Sequence, residues 1–423
     1  MADGTGFSGG GFFRQSFTAV YLPTIIYEAG IGAAVPIIPL YALKLGASVP
    51  QAAFVVALLG IGQVIGDIPA GHLAARLGDR KAMLYGAGIT IIGLLICALA
   101  THWTMLAAGV GILGFIGALF LLARQAYLTD VTPVDRRSRA LSTLGGMHRV
   151  GALIGPFLGG VVMTLFANTF GQGEEWLTGA FWLAILLVLS TGIVVYLVDD
   201  VDVPGRIAPV RTSVVNIVKF NWRIFATIGI AFILVGALRQ TRVTVIPLWS
   251  NHLGLSPSLA SFVFGLSGLL DAALFYPGGR LMDLRGRLWV AIPSTLILGS
   301  ALILLPTTYS FATLIFVALL MGLGNGIGSG ILMTIGADLA PAQQRAQFLS
   351  LCRILSDVGT SLGPLVIAMG ARGGYLSTGI VAMGISGFIA AAILGLLLPR
   401  FNPHANRHSR RRAGLTSRGH AID

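Results

Sequence analysis

The sequence predicts an all-α membrane protein with twelve transmembrane helices in two pseudo-symmetric six-helix halves. Three observations carry this. The chain is 55% hydrophobic and only 10% charged, with a mean hydropathy of +0.85, whereas a soluble domain carries about 25% charged residues. Its apolar residues fall into runs of about 20 or more, the length needed to cross a bilayer core. The second half also repeats the first in one register. Gly363 stands 208 residues after Gly155, and the same offset joins Asp130 to Asp338, Pro133 to Pro341, Arg137 to Arg345, Ser142 to Ser350, Pro69 to Pro277 and Gly71 to Gly279. Chance does not hold one register over so many positions, and duplicated units are how many membrane transporters are built.

In chain order, the expected spans are 17–44, 51–72, 82–101, 104–129, 140–168 and 177–198, then 223–250, 257–281, 287–306, 310–336, 346–370 and 374–398. The first half is thus 17–198 and the second 223–398. They flank a polar linker, 199–222, which opens Asp199-Asp-Val-Asp-Val-Pro-Gly-Arg. Residues 1–16 form a Gly-rich N-terminal segment, and 399–423 form a basic tail with Arg410-Arg411-Arg412, expected to be disordered. Lys and Arg concentrate on one side: Arg14, Arg76, Arg80, Lys81, Arg136, Arg137, Arg139, Arg206, Arg211, Lys219, Arg223, Arg280, Arg285, Arg287, Arg345 and the tail. The other side holds only Lys44 and Arg372. This bias predicts that both termini and the linker are cytoplasmic. A formal charge of +12 placed in short loops is an orientation signal, and no nucleic-acid partner is expected. The compact loops suggest a bacterial inner (plasma) membrane and a monomer.

Helix 5 carries Gly151-Ala-Leu-Ile-Gly155-Pro156-Phe-Leu-Gly159-Gly160, and helix 11 repeats its first part as Gly359-Thr-Ser-Leu-Gly363-Pro364. In water this would be a poor helix, since Gly costs about 1 kcal/mol and Pro about 3 kcal/mol relative to Ala. In a membrane, small residues four apart let a neighbouring helix approach closely. The loop between helices 2 and 3 reads Gly71-His72-Leu73-Ala74-Ala75-Arg76-Leu77-Gly78-Asp79-Arg80-Lys81. Its twin between helices 8 and 9 reads Gly279-Arg280-Leu281-Met282-Asp283-Leu284-Arg285-Gly286-Arg287.

These two loops resemble the major facilitator superfamily (MFS), whose signature there is G-x-x-x-D-[RK]-x-G-[RK]-[RK]. The first loop departs from it, with Ala75 in the place of Asp and Asp79 in the place of a base. The second keeps Asp283, Gly286 and Arg287. The helix-5 stretch is similar to the family's antiporter motif at Gly151, Gly155, Pro156, Gly159 and Gly160, a motif associated with twelve-span drug/proton antiporters. Of the helix-4 pattern of that group only Arg124 is matched; Tyr127 and Leu128 replace Gln and Gly. The resemblance implies the MFS fold, with helices 1, 4, 7 and 10 lining a cavity, 2, 5, 8 and 11 forming the seam between halves, and 3, 6, 9 and 12 facing lipid.

A charge near the bilayer centre costs at least about 2.5–3.5 kcal/mol and usually faces a cavity or a partner. Those here are Glu28, Asp67, Arg124, Arg149, Arg239, Arg242, Asp271, Arg353 and Asp357; helices 3, 6, 9 and 12 hold none. Expected inter-half pairs are Arg149 with Asp271, and Arg353 or Asp357 with Asp67 or Gln63. Glu28 is the preferred proton carrier, because a low-dielectric cavity favours the neutral form of a carboxylate; Asp67 and Asp271 are the alternatives. Arg239 and Arg242, three apart on one helix face, form with Arg124 a basic wall, and Glu28 and Asn325 complete the expected substrate cavity.

The remaining residues point to no other chemistry. Cys97 and Cys352 lie in apolar runs and suit small buried hydrophobes better than a disulfide. His72 and His148 are expected to be ordinary hydrogen-bonding histidines. Gly322-Leu-Gly-Asn-Gly-Ile-Gly-Ser-Gly330 lacks a Lys-Ser/Thr ending and fits close helix packing rather than a phosphate loop. No metal spacing, nucleotide loop or catalytic triad is visible, so an enzyme is not expected and no cofactor is called for. The expected function is secondary active transport by alternating access: proton-coupled efflux (antiport) of a small amphipathic compound or drug. The alternatives are a symporter or facilitator of a metabolite anion, and a non-transporting membrane sensor or scaffold.

Overall fold

A computed structural model describes residues 17–132, 137–170, 175–197, 214–341, 344–412 and 414. Arg14, Arg136, Arg206 and Arg211, most of the linker and the end of the tail lie outside the described residues. Among the described residues, twelve helices are long and apolar enough to cross a membrane. They are α1 (Phe17–Lys44), α2 (Val49–Leu77), α3 (Asp79–Ala98), α4 (Trp103–Val131), α5 (Arg137–Phe170) and α6 (Glu175–Leu197) in one half. The other half holds α7 (Trp222–His252), α8 (Pro257–Arg285), α9 (Leu288–Thr307), α10 (Phe311–Leu339), α11 (Arg345–Ala371) and α12 (Leu376–Phe401). Several helices overrun their apolar stretches at the basic end. α2 reaches Leu77 and α8 reaches Arg285 because hydrogen bonding continues until Gly78 (φ 80°) and Gly286 (φ 105°) turn the chain. These glycines occupy equivalent places in the repeat, where a side chain would be strained.

Each half packs by the same scheme. α1 lies on α5 and α6, α2 on α4, and α3 on α4 and α6; α7 lies on α11 and α12, α8 on α10, and α9 on α10 and α12. The halves meet through α2 against α11, α5 against α8, and the second half of α1 against α7. α1 is broken where Pro36 and Pro39 remove backbone donors, with a 3₁₀ turn at Val35–Ile37. One continuous apolar cluster runs between the halves through residues such as Ile37, Ile38, Val245 and Ile246. Toward the end where α1 begins and α12 finishes, the apolar core divides in two: Tyr21, Leu128 and Leu144 in one half, Phe232, Ile335 and Phe348 in the other. Apolar contact between the halves is therefore concentrated at the far end, while nearer the basic end Arg353 of α11 reaches Asp67 of α2 at 3.4 Å.

Three regions differ from the sequence expectation. Within the linker, Val214–Phe220 is a helix docked on α7 and α11, held by buried Ile217. The near part of the tail is folded, not loose. Arg287 and Leu288 backbone amides donate to the His404 and Ala405 carbonyls, Asn402 Nδ2 donates to Asp338 at 3.1 Å, and a short helix follows at Arg407–Arg412. The third is α10, which is interrupted at Gly328-Ser329-Gly330, with Gly330 left-handed at φ 78°. Its glycines do serve close packing, Gly322 against the Ser267 carbonyl and Gly326 against Asp271 Cα. They also permit a break, which non-helical backbone at membrane depth tolerates only inside protein or beside a cavity.

Candidate translocation site

The helix-5 glycines place the first polar centre. A Cβ on Gly151 would stand 2.5 Å from the Ile25 carbonyl oxygen and 2.7 Å from Glu28 Cβ, and one on Gly155 would strike the Ala29 carbonyl. Only glycine lets α5 approach α1 this closely. Gly160 faces the opposite way, toward Ser258 of α8, so the one motif serves both an intra-half contact and the seam. The close approach lays His148 Nδ1 2.8 Å from Glu28 Oε1, while Arg124 Nη2 reaches the same oxygen from α4 at 2.7 Å. Glu28 and Arg124 are buried, whereas the His148 side chain is 49% exposed. Below them Arg124 lies over Phe120, Phe120 stacks on Tyr27 at 4.0 Å, and the Tyr27 hydroxyl pairs with Thr90.

Helix 11 repeats the packing but not the chemistry. Cβ atoms on Gly359 and Gly363 would strike the Ile233 and Ala237 carbonyls of α7, yet no carboxylate stands at Gly236, the repeat equivalent of Glu28. The second polar centre is built around Asp271 of α8 instead. Arg149 Nη1 of α5 donates to Asp271 Oδ1 at 2.8 Å across the seam. Arg242 Nη2 of α7 donates to Oδ2 at 3.4 Å, Asn325 Nδ2 to Oδ2 at 2.6 Å and the Ser329 hydroxyl to Oδ1 at 3.3 Å. Arg239 anchors the α10 break, donating from Nη2 to the Gly328 carbonyl at 2.6 Å. A carbonyl freed at a helix C-terminus is a natural seat for a cation. Arg149 lies 4.6 Å from the Phe275 ring centre and Arg242 5.5 Å from that of Phe264.

A third cluster bridges α2 and α11. Arg353 Nη2 lies 3.4 Å from Asp67 Oδ1, and its Nε 3.4 Å from Asp357 Oδ2; nearby, Gly60 is pressed against Ser361. The basic-end loops also differ. Arg287 forks onto Asp338 at 2.7 and 3.2 Å and reaches Asp283 at 3.2 Å, tying α8, α9 and α10 together. Asp79 takes the equivalent position at the start of α3 and is buried. Arg80 instead donates to the Val195 and Tyr196 carbonyls at the end of α6. Gly71 lies within α2, Gly279 is uncrowded, and Pro156 and Pro364 lie inside α5 and α11.

The third guanidinium beside Arg239 and Arg242 is thus Arg149, not Arg124, which belongs with Glu28. Sequence reasoning missed His148, Ser267, Ser329 and Asp338 as members of these clusters. His148 carried a usable signal, since it sits three residues before Gly151 and so on the glycine face of α5. The family model described as Major Facilitator Superfamily matches residues 20–364 and, in an overlapping match, 228–421. The chain belongs to this superfamily. It is a membrane transporter of that family rather than an enzyme. Among curated relatives, "Multidrug resistance protein 2" of Bacillus subtilis (strain 168) is 27% identical over 84% of this chain and 90% of its own length. "Tetracycline resistance protein, class H" of Pasteurella multocida is 30% identical over 42% and 44%. Among solved structures, a POT family transporter in complex with a thioalcohol-conjugated peptide superposes with a TM-score of 0.74 at 13% identity, covering 92% of this chain and 96% of its own. The nucleoside transporter NupG gives 0.72 at 13%, covering 90% and 98%. At such identities these likenesses speak for the fold alone.

Proposed function

We propose that this MFS protein is a proton-coupled exporter of a small amphipathic compound, working by alternating access in a bacterial inner membrane with both termini cytoplasmic. The observation that carries the reading is the Glu28 carboxylate, buried between Arg124 and half-exposed His148. A membrane-buried acid contacting one fixed cation and one titratable group can change protonation when either contact shifts. Protonation of Glu28 would release Arg124; loss of that proton would draw Arg124 back. His148 leads from the open side of α5 to the carboxylate. The contact lies on the α1–α5 pair, so movement of α5 at the α8 seam is transmitted to it. The names of the relatives, multidrug and tetracycline resistance proteins, support export.

The test is transport in proteoliposomes with an imposed pH gradient and a panel of cationic, neutral and anionic amphiphiles. Wild-type protein should drive at least one of them uphill and move protons in the opposite sense, and Glu28→Gln should abolish the uphill component. Gradient-independent flux in both proteins would point to a facilitator and remove Glu28 from the mechanism.

A further inference from the structure

The Asp271 centre holds more positive charge than it neutralises. Arg149 and Arg242 converge from α5 and α7 on a single carboxylate, and Arg239 lies three residues before Arg242 on the same helix face. That carboxylate is already engaged by Asn325 and Ser329 as well. The Nε atoms of Arg239 and Arg242 are enclosed and donate to no protein acceptor. Arg242 hydrogen-bonds Ser267 at 3.0 Å, a neutral group, and Arg239 a backbone carbonyl, so neither contact supplies the missing negative charge. Of the other interior acids, Glu28 is neutralised by Arg124, and Asp67 and Asp357 share Arg353 in the α2–α11 cluster. Unmatched guanidinium groups at membrane depth are costly and are kept where they meet a ligand. Phe275 under Arg149 and Phe264 beside Arg242 add apolar surface to the same place.

We propose that Arg149, Arg239 and Arg242 bind the negatively charged group of the transported solute. The solute class is then an organic anion or zwitterion, with a carboxylate, sulfonate or phosphate on an apolar body. The planar fork of arginine suits such groups, and the α10 break fixes Arg239 beside them. The proposal rests on the transporter reading and names its solute class. A lipid phosphate offers the same chemistry, so the test separates the two sources.

Full-length protein would be placed in nanodiscs of phosphatidylcholine, with and without phosphatidylglycerol. Thermal unfolding and equilibrium binding would be followed with aryl carboxylates, sulfonates and phosphates, each beside its neutral ester or amide and an ammonium counterpart. At least one anion should bind ten-fold or more tighter than its neutral counterpart. Arg239→Gln should weaken it by roughly 10- to 100-fold, the loss of one or two charge-assisted hydrogen bonds. Arg239→Lys should restore part of that, and Arg223→Gln, outside the site, should change nothing. Equal binding of every acid and its ester by wild type, or preference for the ammonium compounds, overturns the proposal without any variant. Competition by phosphatidylglycerol, with no solute anion bound in its absence, would assign the cluster to lipid and also overturn it. Anion binding with no proton-driven flux would leave this inference standing and remove the export reading; proton-driven flux of cations alone would do the reverse.

Discussion

The two halves share a packing device and differ in what it positions. In the first, Gly151 and Gly155 press α5 onto α1 and bring His148 to Glu28. In the second, Gly359 and Gly363 press α11 onto α7 in the same way, but the residue equivalent to Glu28 is Gly236 and that equivalent to Arg149 is Asp357. The charge has moved instead to Asp271, whose repeat equivalent is Gln63. Duplication thus preserved the backbone approach, which tolerates no side chain. The polar residues diverged, because several arrangements can satisfy a charge in a cavity. One polar centre is left with the Glu28 acid, Arg124 and the His148 imidazole, the other with Asp271 and an excess of arginine, to which α5 of the first half contributes Arg149.

Removing charge should break this comparison most strongly in the second half. Asp271→Asn leaves Arg149 and Arg242 facing each other without a counter-charge. Breaking a buried pair typically costs about 3–5 kcal/mol, so we expect a large drop in thermal stability in detergent and loss of flux. Packing changes should instead strike both halves alike. Gly155→Leu and Gly363→Leu each drive a side chain into a facing carbonyl, and overpacking costs about 1–3 kcal/mol. Equal losses of folded yield and melting temperature are expected, and a loss confined to one half would show that the glycines are not equivalent. A smaller effect should follow Arg287→Ala, which frees Asp338 and loosens the α8–α9 loop; we expect a loss of about 1–2 kcal/mol and faster labelling of a cysteine placed in that loop. The mildest change is His148→Gln, at a half-exposed side chain: about 1 kcal/mol or less in stability, read against its effect on the pH dependence of transport.

Much of this architecture is legible in the sequence, because a bilayer leaves few choices. Length and hydropathy define the twelve spans, and the repeat offset carries Pro69 to Pro277 and Gly155 to Gly363 without reference to any contact. The rarity of charge in a membrane singles out Glu28, Arg149 and Asp271 as candidates. Their grouping is harder to read. That Arg239 joins Arg149 rather than Arg124 depends on which helices face each other at one depth, and that depends on the break in α10. Gly328 and Gly330 stand in a run of alternating glycines, and nothing local marks where the helix yields. The folded tail was hidden for a similar reason: Asn402 and Ala405 are ordinary residues until Asp338 and the backbone amide of Leu288 stand next to them.

The most direct test of the account is to separate solute exchange from proton coupling in Glu28→Gln. Proteoliposomes carrying a solute that wild type exports would be assayed twice, for counterflow without a pH gradient and for gradient-driven accumulation. If the Glu28 centre handles the proton and the Asp271 centre the solute, the variant keeps counterflow near the wild-type rate and loses accumulation. Gradient-driven accumulation that survives in Glu28→Gln, or counterflow and accumulation that fall together, would contradict that division of labour.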